Sequence, residues 1–180
     1  VVAPPRHQDA GAGRLTLRCA VSEDARKMAH EALGGDYELV FNGVEVERFA
    51  KATAWPTEGP TVLFLGRHEP RKGLAVLLEA VAHLPHHVQV WVAGDGPETD
   101  VLRARHAGDP RIEWLGRISE EEKLQRLRGA DVFCAPSLRG ESFGVVLLEA
   151  MAAETAVVAS ELPGYANVAR ADRDGLLVPV

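Results

Sequence analysis

Two glutamates, Glu141 and Glu149, stand eight residues apart with an almost unbroken apolar run between them. A helix that begins near Phe143 would place Glu141 just ahead of its first turn, where unpaired N–H groups and the helix dipole attract anions. Glu149 would then lie about two turns further on, roughly 9 Å along the axis. Because the aliphatic residues leave this helix no polar face, we expect it to be buried, so Glu149 needs a partner such as a pair of ligand hydroxyls. Taken alone, the two glutamates also fit a plainer interpretation, as a helix-dipole partner and an ordinary acid at a helix edge.

A basic loop lies between a predicted strand and a predicted helix, where residues 66–73 read Gly-Arg-His-Glu-Pro-Arg-Lys-Gly. Three cationic side chains, Arg67, Arg71 and Lys72, fall within six positions. Arginine offers a bidentate fork and lysine a point charge, and both suit phosphate oxygens. The loop therefore predicts a phosphate site, with a solvated surface turn as the alternative.

Two further loops follow predicted strands. Residues 94–98, Gly-Asp-Gly-Pro-Glu, lack the third glycine of a dinucleotide fingerprint, and we interpret them as a tight turn. Residues 116–119 lead into a helix capped by Ser119, with Glu122 at the third position. The backbone edge here could read a nucleotide base, with Ile118 against its face, although an ordinary capped helix start explains the same residues.

Composition and the remaining polar residues exclude several classes of protein. Apolar residues make up 46% and charged residues 26%, which is typical of a soluble globular protein, and the net charge of −6 offers no basic field for nucleic acid. No apolar run approaches the roughly 18 residues that a membrane span needs. Cys19 and Cys134 fall in different strand-like runs, which indicates reduced thiols and a cytoplasmic setting. The Asp-Arg-Asp at 172–174 reads as a polar turn, and no catalytic triad or zinc spacing is evident.

These loops must be positioned by alternating strands and helices. Each predicted strand is apolar throughout, which is typical of a parallel sheet covered by helices on both faces, an α/β Rossmann-like architecture. In such sheets ligands bind outside the carboxyl ends of the strands, where all the loops above are expected to meet. The predicted strands are 61–65, 88–93, 112–115, 131–135, 156–159 and 176–178, and the predicted helices are 73–83, 98–106, 119–128 and 141–153.

The chain divides into three predicted parts. Residues 1–45 contain a strand over 15–21, a helix from the cap Ser22 to Leu33 and a strand over 37–41, too little to bury a core alone. Residues 46–60 carry charge, Pro and Gly without a clear period and are predicted to be an inter-domain linker. Residues 61–180 form the regular α/β domain.

The order of these segments resembles the donor-binding, C-terminal half of retaining glycosyltransferases of the GT-B fold, which transfer a sugar from a nucleotide-sugar. Within that family the chain is most similar to the actinobacterial phosphatidylinositol mannosyltransferases. The resemblance covers roughly Ala20 to the end, and residues 1–45 then correspond to the tail of the N-terminal, acceptor-binding domain. The segments that carry it are residues 64–73, 130–136, 140–153 and 155–160.

The resemblance implies a role for each loop. Arg67 and Lys72 would hold the donor's diphosphate, Glu141 the hydroxyls of the transferred sugar, and Glu149 the ribose hydroxyl pair. The expected catalytic groups are Arg67, Lys72 and Glu141. The two cations would stabilise the negative charge that grows on the nucleoside diphosphate leaving group. The expected donor-binding residues are Gly66, Arg67, Lys72, Ile118, Lys123, Glu141, Ser142, Phe143, Gly144, Val145 and Glu149.

The resemblance also implies an activity. The full enzyme would be a retaining hexosyltransferase that moves mannose from GDP-mannose to a phosphatidylinositol-type lipid, without a metal or other cofactor. It would lie in the cytoplasm at the inner face of the plasma membrane, and the 180 residues alone would be inactive because the acceptor domain is missing. A nucleotide-sugar binding module without transfer and a GT-B nucleotide-sugar epimerase are the alternatives, and the base, sugar and acceptor stay open. Glu154 and Asn167 depart from the family, whose members usually carry Gly and often Glu at these positions.

Overall fold

A computed structural model describes residues 16–180, which fall into two compact units, 16–42 and 43–180. The predicted loop over residues 1–14, and Leu15 at the start of the first predicted strand, lie outside the described residues. The prediction of a linker between residues 45 and 61 stays a prediction.

The first unit is a strand-helix-strand element, with β1 (Cys19–Ala20) parallel to β2 (Glu38–Leu39) and α1 (Glu23–Leu33) between them. The predicted cap is confirmed, because the hydroxyl of Ser22 accepts a hydrogen bond of 3.1 Å from the backbone N–H of Ala25. The helix ends at Gly34, whose φ of 69° stops it where the sequence predicts. Both strands are shorter than predicted.

The second unit is built on one parallel sheet of six strands in the order β5-β4-β3-β6-β7-β8. This confirms the predicted α/β Rossmann-like fold, and the strand order reverses between β3 and β6, where such sheets bind ligands. Its elements are α2 (Val46–Ala50), β3 (Thr61–Leu65), α3 (Leu74–Ala80), β4 (Gln89–Ala93), α4 (Thr99–Arg105), β5 (Ile112–Gly116), α5 (Glu120–Gly129), β6 (Val132–Ala135), α6 (Val145–Ala152), β7 (Ala156–Ser160), α7 (Pro163–Ala166) and β8 (Leu176–Val178), with 3₁₀ turns at Pro70–Lys72 and Val81–His83.

Both faces of this sheet are buried, which explains the unbroken apolar strands. Along β3, Leu63 packs on one face and Phe64 on the other, and along β4 Trp91 and Val90 alternate in the same way. Helices α5 and α6 cover the first face, and α3 and α4 cover the second. The sheet is therefore a rigid platform whose carboxyl edge carries the loops.

Helices α2 and α7 were not predicted from the sequence, and α6 begins later than predicted. Helix α2 lies inside the stretch expected to be an irregular linker, and its Phe49 is buried against the α5 and α6 side of the sheet. Helix α7 follows β7 directly. Helix α6 begins at Val145 rather than near Phe143, because Gly144 has a left-handed φ of 87° and the turn before it is not helical.

Candidate functional site

The loops at the carboxyl edge of the sheet are bonded to one another, as their positions predict. The N–H of Gly94 donates to the carbonyl of Gly116 over 2.7 Å, and the N–H of His68 donates to the carbonyl of Asp95 over 2.9 Å. The N–H of Leu138 donates to the carbonyl of Arg71 over 2.7 Å, which joins the loops after β6 and β3. These hydrogen bonds join the loops into one continuous surface at the carboxyl edge of the sheet, where the strand order reverses.

Glycine is required where two of these loops touch. Gly73 has a φ of 67°, and a Cβ there would overlap the backbone carbonyl of Pro136. Gly94 has a φ of 113°, and a Cβ there would overlap the carbonyl of Gly66. Each side chain would both strain the backbone and push the loops apart.

An open cleft of about 650 Å³ lies at this edge. A cleft of this size suits a ligand as large as a nucleotide derivative. It is lined by Leu65, Gly66, Arg67, Arg71, Lys72, Gly94, Asp95, Arg117, Ile118, Glu120, Lys123, Val145, Val146 and Glu149.

Three cations of the basic loop face the cleft with different degrees of constraint. Arg67 is exposed, and its guanidinium has no hydrogen-bond or ion-pair partner among residues 16–180. Lys72 lies 2.5 Å from Glu141, and Arg71 lies 2.7 Å from Glu69. In this loop, therefore, one guanidinium has no partner among residues 16–180 and the other two cations are held by carboxylates, a suitable set for an anionic ligand.

Glu141 is held almost out of solvent behind this loop, with its side chain 10% exposed. Its Oε1 atom accepts hydrogen bonds from the ammonium of Lys72 at 2.5 Å and the hydroxyl of Ser137 at 2.9 Å, and Arg71 lies 3.5 Å away. The hydroxyl of Ser137 is in turn 2.9 Å from that of Tyr165 in α7. The carboxylate is therefore charge-compensated and fixed in orientation.

Glu149 is paired inside the chain. Its side chain is 16% exposed on the fifth residue of α6, and its Oε1 lies 2.8 Å from the ammonium of Lys123, which also lies 2.9 Å from Glu120. Burial disfavours the charge on Lys123, but the hydrogen bonds from Glu149 and Glu120 outweigh it and raise the pKa of Lys123 above 10.5. Lys123, expected among the donor-binding residues, is thus a partner of Glu149 on the wall of the cleft.

Seven of the eleven predicted donor-binding residues line the cleft, namely Gly66, Arg67, Lys72, Ile118, Lys123, Val145 and Glu149. Glu141 lies behind Lys72, and Ser142 is exposed just beyond it. Phe143 is buried, and Gly144 is the residue before α6. The roles assigned to these residues stay predictions, while their placement at one edge is observed.

The individual donor contacts predicted from the sequence left out three residues of the network around Glu141. Arg71 was one of the three cations of the predicted phosphate site, but it was given no contact of its own. Ser137 stands two residues past β6, at the edge where ligands bind. Tyr165 carried no signal, because α7 has only four residues and begins Pro-Gly, which reads as a turn.

His68 connects the basic loop to the next loop from the inside. It is 1% exposed, and its Nδ1 lies 2.8 Å from the hydroxyl of Thr99. Burial lowers the pKa of His68 below its ordinary value of 6.5, opposed by the carbonyl of Ala93 and the charge of Asp95. The neutral imidazole therefore fixes the backbone next to Arg67.

Residues 16–180 show neither a metal-binding cluster nor a membrane-spanning helix. No group of three or more His, Cys, Asp and Glu side chains there is arranged to hold a metal ion. No helix in that part of the chain is long and apolar enough to cross a membrane.

Known proteins share both the sequence and the fold. Residues 59–180 match the family described as glycosyl transferases group 1. The phosphatidyl-myo-inositol mannosyltransferase of Mycobacterium tuberculosis is 48% identical over 176 residues, which cover 93% of this chain and 46% of the relative. The protein of the same name from Mycolicibacterium smegmatis is 50% identical over 177 residues, covering 93% and 45%. The chain thus spans about half the length of the curated relatives it matches.

Solved structures agree on the architecture. The structure of Anabaena HepE in complex with UDP and glucose gives a TM-score of 0.77 at 23% identity, over 91% of this chain and 49% of that one. The sucrose-phosphate synthase of Thermosynechococcus elongatus gives 0.72 at 26% identity, over 88% and 44%. The parallel sheet, the loops at its carboxyl edge and the match over residues 59–180 together show that this chain belongs to the group 1 glycosyltransferase family, with the Rossmann-like fold of GT-B enzymes.

Proposed function

We propose that this chain is the donor-binding part of a phosphatidylinositol mannosyltransferase and that its cleft binds GDP-mannose. The full-length enzyme would transfer mannose, with retention, to a phosphatidylinositol-type lipid at the inner face of the plasma membrane. The names and identities of the mycobacterial relatives support the sugar and the acceptor. Those relatives are transferases, which also supports transfer over nucleotide-sugar epimerisation.

The observation that carries the proposal is the contact of 2.5 Å between Lys72 and Glu141 beside the cleft. A nucleotide-sugar joins its diphosphate to its sugar by one bond, so its site needs a cation and a hydroxyl acceptor next to each other. Lys72 supplies the cation, and Glu141 supplies the acceptor for sugar hydroxyls. Arg67, unpaired among the described residues, would complete the diphosphate site from the same loop.

The chemical contribution of this half is electrostatic. As the glycosidic bond breaks, negative charge grows on the leaving diphosphate, and cations already oriented toward it stabilise the transition state. The first turn of α6 supplies backbone N–H groups at the same edge through Val145 and Val146, which line the cleft. We propose that these charges act without a divalent metal.

The test replaces Arg67 or Lys72 by Ala in the full-length enzyme. Charge-assisted hydrogen bonds contribute about 1.5–3 kcal/mol, so each change should lower kcat/KM for GDP-mannose at least about tenfold. Arg105→Ala is the matched control, because it removes a cation from α4 outside the cleft. Unchanged kinetics in both cleft variants would make the basic loop a solvated turn, and binding of GDP-mannose without any transfer would favour a sensor module.

A further inference from the structure

We propose that Ser137 and Tyr165 are positioning residues for Glu141: the Tyr165 hydroxyl orients Ser137, which orients the carboxylate so that one oxygen stays open to the donor's sugar. This inference rests on the proposed function, because it concerns the same site. It adds two residues behind Glu141, one from the loop after β6 and one from α7.

The direction of the hydrogen bonds follows from counting protons. Ser137 has one hydroxyl proton, and Glu141 Oε1 can only accept, so Ser137 donates to it over 2.9 Å. The contact of 2.9 Å between the two hydroxyls must then be donated by Tyr165. Both residues are buried, with Ser137 2% and Tyr165 1% exposed, so no solvent competes for these bonds. Burial also raises the pKa of Tyr165 well above its usual range, which keeps its proton in place.

The two oxygens of Glu141 are not equivalent. Oε1 accepts from Lys72 and Ser137, with Arg71 at 3.5 Å, whereas Oε2 has no hydrogen bond to any of residues 16–180. A rotation of the carboxylate out of this orientation would break the bond to Ser137. The chain from Tyr165 therefore saturates one oxygen and presents the other as an acceptor for a sugar hydroxyl.

The backbone around Glu141 is supported by the same short helix. A Cβ on Gly164 of α7 would overlap the carbonyl oxygen of Glu141. A Cβ on Gly144, just before α6, would lie 2.7 Å from the ring of Tyr165. Helix α7 thus packs against the loop that carries Glu141 at Glu141 itself and at Gly144, and the hydroxyl of Tyr165 reaches the side chain of Glu141 through Ser137.

The arrangement predicts an effect on the sugar and none on the nucleotide. Losing the Ser137 hydroxyl frees the carboxylate to turn, while Arg67 and the cleft wall around Glu149 keep their places. A loss of folding alone would weaken the binding of a nucleotide and of a nucleotide-sugar together. The difference between these two affinities is therefore the readout for positioning.

The experiment measures the dissociation constants of GDP and GDP-mannose, and of UDP and UDP-glucose, by calorimetry on the 180-residue chain. The variants are Ser137→Ala, Tyr165→Phe and the double change. For the pair that the parent binds, Ser137→Ala should weaken the nucleotide-sugar about three- to tenfold and leave the nucleotide within about twofold, since a lost hydrogen bond costs about 1 kcal/mol. Tyr165→Phe should give a smaller change in the same direction.

The double variant separates a chain of hydrogen bonds from two independent contacts. If Tyr165 acts only through Ser137, adding Tyr165→Phe to Ser137→Ala should weaken the nucleotide-sugar no further. Thr155→Val is the control. Like Ser137, Thr155 has a buried hydroxyl that donates a hydrogen bond, in this case to the backbone carbonyl of Leu127, and it lies outside the cleft. It should lower the melting temperature and leave both affinities unchanged.

Each failure has a distinct meaning. A parent chain that binds neither nucleotide nor nucleotide-sugar overturns the proposed function and this inference together. A parent that binds while Ser137→Ala keeps its affinity for the nucleotide-sugar, or loses both affinities equally, overturns the positioning role alone. Tyr165→Phe keeps the ring that packs against Gly144, so it supplies the same test if Ser137→Ala does not fold.

Discussion

Lys123 is the residue that makes a carboxylate possible in the middle of α6. Glu149 stands in an apolar helix, where an unpaired charge would be costly, and Lys123 compensates it at 2.8 Å. A carboxylate accepts about four hydrogen bonds, so a ribose hydroxyl pair can bind without displacing Lys123. Glu120 keeps Lys123 in place from the other side at 2.9 Å. The pair is thus compatible both with a folded empty site and with the expected ribose contact.

The two glutamates should differ in kinetics. Glu149 is expected to contact the ribose, which does not react, so Glu149→Gln should mainly raise KM for the donor in the full-length enzyme. Glu141 is expected to contact the sugar, where charge and geometry change, so Glu141→Gln should lower kcat more than it raises KM. Steady-state kinetics and melting temperatures of both variants are the measurement, with Glu79→Gln, exposed on α3, as control.

The same data can reject the assignment. If both variants melt far below the parent, the glutamates are structural and their charges serve Lys72 and Lys123. If both keep parental kinetics, α6 is a buried helix and the donor binds elsewhere.

His68 should make stability depend on pH. Its folded-state pKa lies below 6.5, so between these values the unfolded chain binds more protons than the folded one. The contribution of His68 to the free energy of unfolding is therefore fully present above pH 6.5 and is lost as the pH falls toward the folded-state pKa. The free energy of unfolding decreases by at most about 1.4 kcal/mol per pH unit in this window. Urea unfolding of the parent and of His68→Asn at pH 7.5 and 5.5 should show the larger loss in the parent. Equal losses of unfolding free energy in the two proteins would mean that the pKa of His68 is the same in the folded and unfolded states.

Among the elements, α6 is followed by a strained residue two positions after its end. Glu154 has a φ of 60°, a left-handed conformation that glycine adopts without cost, and its carboxylate lies 2.8 Å from Arg128 on the surface. Left-handed backbone costs a non-glycine residue about 1–2 kcal/mol, and an exposed ion pair returns about 0–1 kcal/mol. Glu154→Gly should therefore raise the melting temperature by a few degrees and leave nucleotide binding unchanged. Glu154→Gln, which removes only the ion pair, is the control, and a lower melting temperature for Glu154→Gly would show that the ion pair outweighs the strain.

Local signals allowed the regular elements to be predicted. The hydroxyl of Ser119 accepts a hydrogen bond from the N–H of Glu122, as expected. This cap could be predicted because its signal lies within four consecutive residues. The strand β3 has the predicted bounds, because five apolar residues between breakers have few alternatives. Helices α2 and α7 have five and four residues, too short for a period to show, and are held by packing of Phe49 and Tyr165 that no local pattern reveals.

The site divides in the same way. Parallel strands bring their carboxyl ends to one edge, so the placement of Arg67, Lys72 and Glu149 on one cleft could be predicted from topology. Two other contacts join residues that are distant in sequence. Lys123 and Glu149 are 26 positions apart, and Ser137 and Tyr165, which support Glu141, are 28 positions apart. Such pairings depend on side-chain directions in the packed structure and could not be read from spacing.

For the molecule as a whole, we expect the described residues to contain one edge of a larger site. The cleft is open, and the side chain of Arg67 is exposed on its wall. The relatives are about twice as long as this chain. We expect the acceptor and the closing surface to come from the other half of the full-length enzyme.

The 180-residue chain should therefore bind the donor without transferring its sugar. Binding needs the basic loop, Glu141 and Glu149, which are all present, whereas transfer needs an acceptor site and closure of the cleft against water. The measurement is calorimetry with GDP-mannose beside a transfer assay with phosphatidylinositol in detergent micelles, with the full-length enzyme as positive control. Binding without turnover is the expected result, and Lys72→Ala should weaken the binding at least about tenfold. Turnover by the 180 residues alone would show that the acceptor site lies within this chain, and the division of labour between the two halves would have to be abandoned.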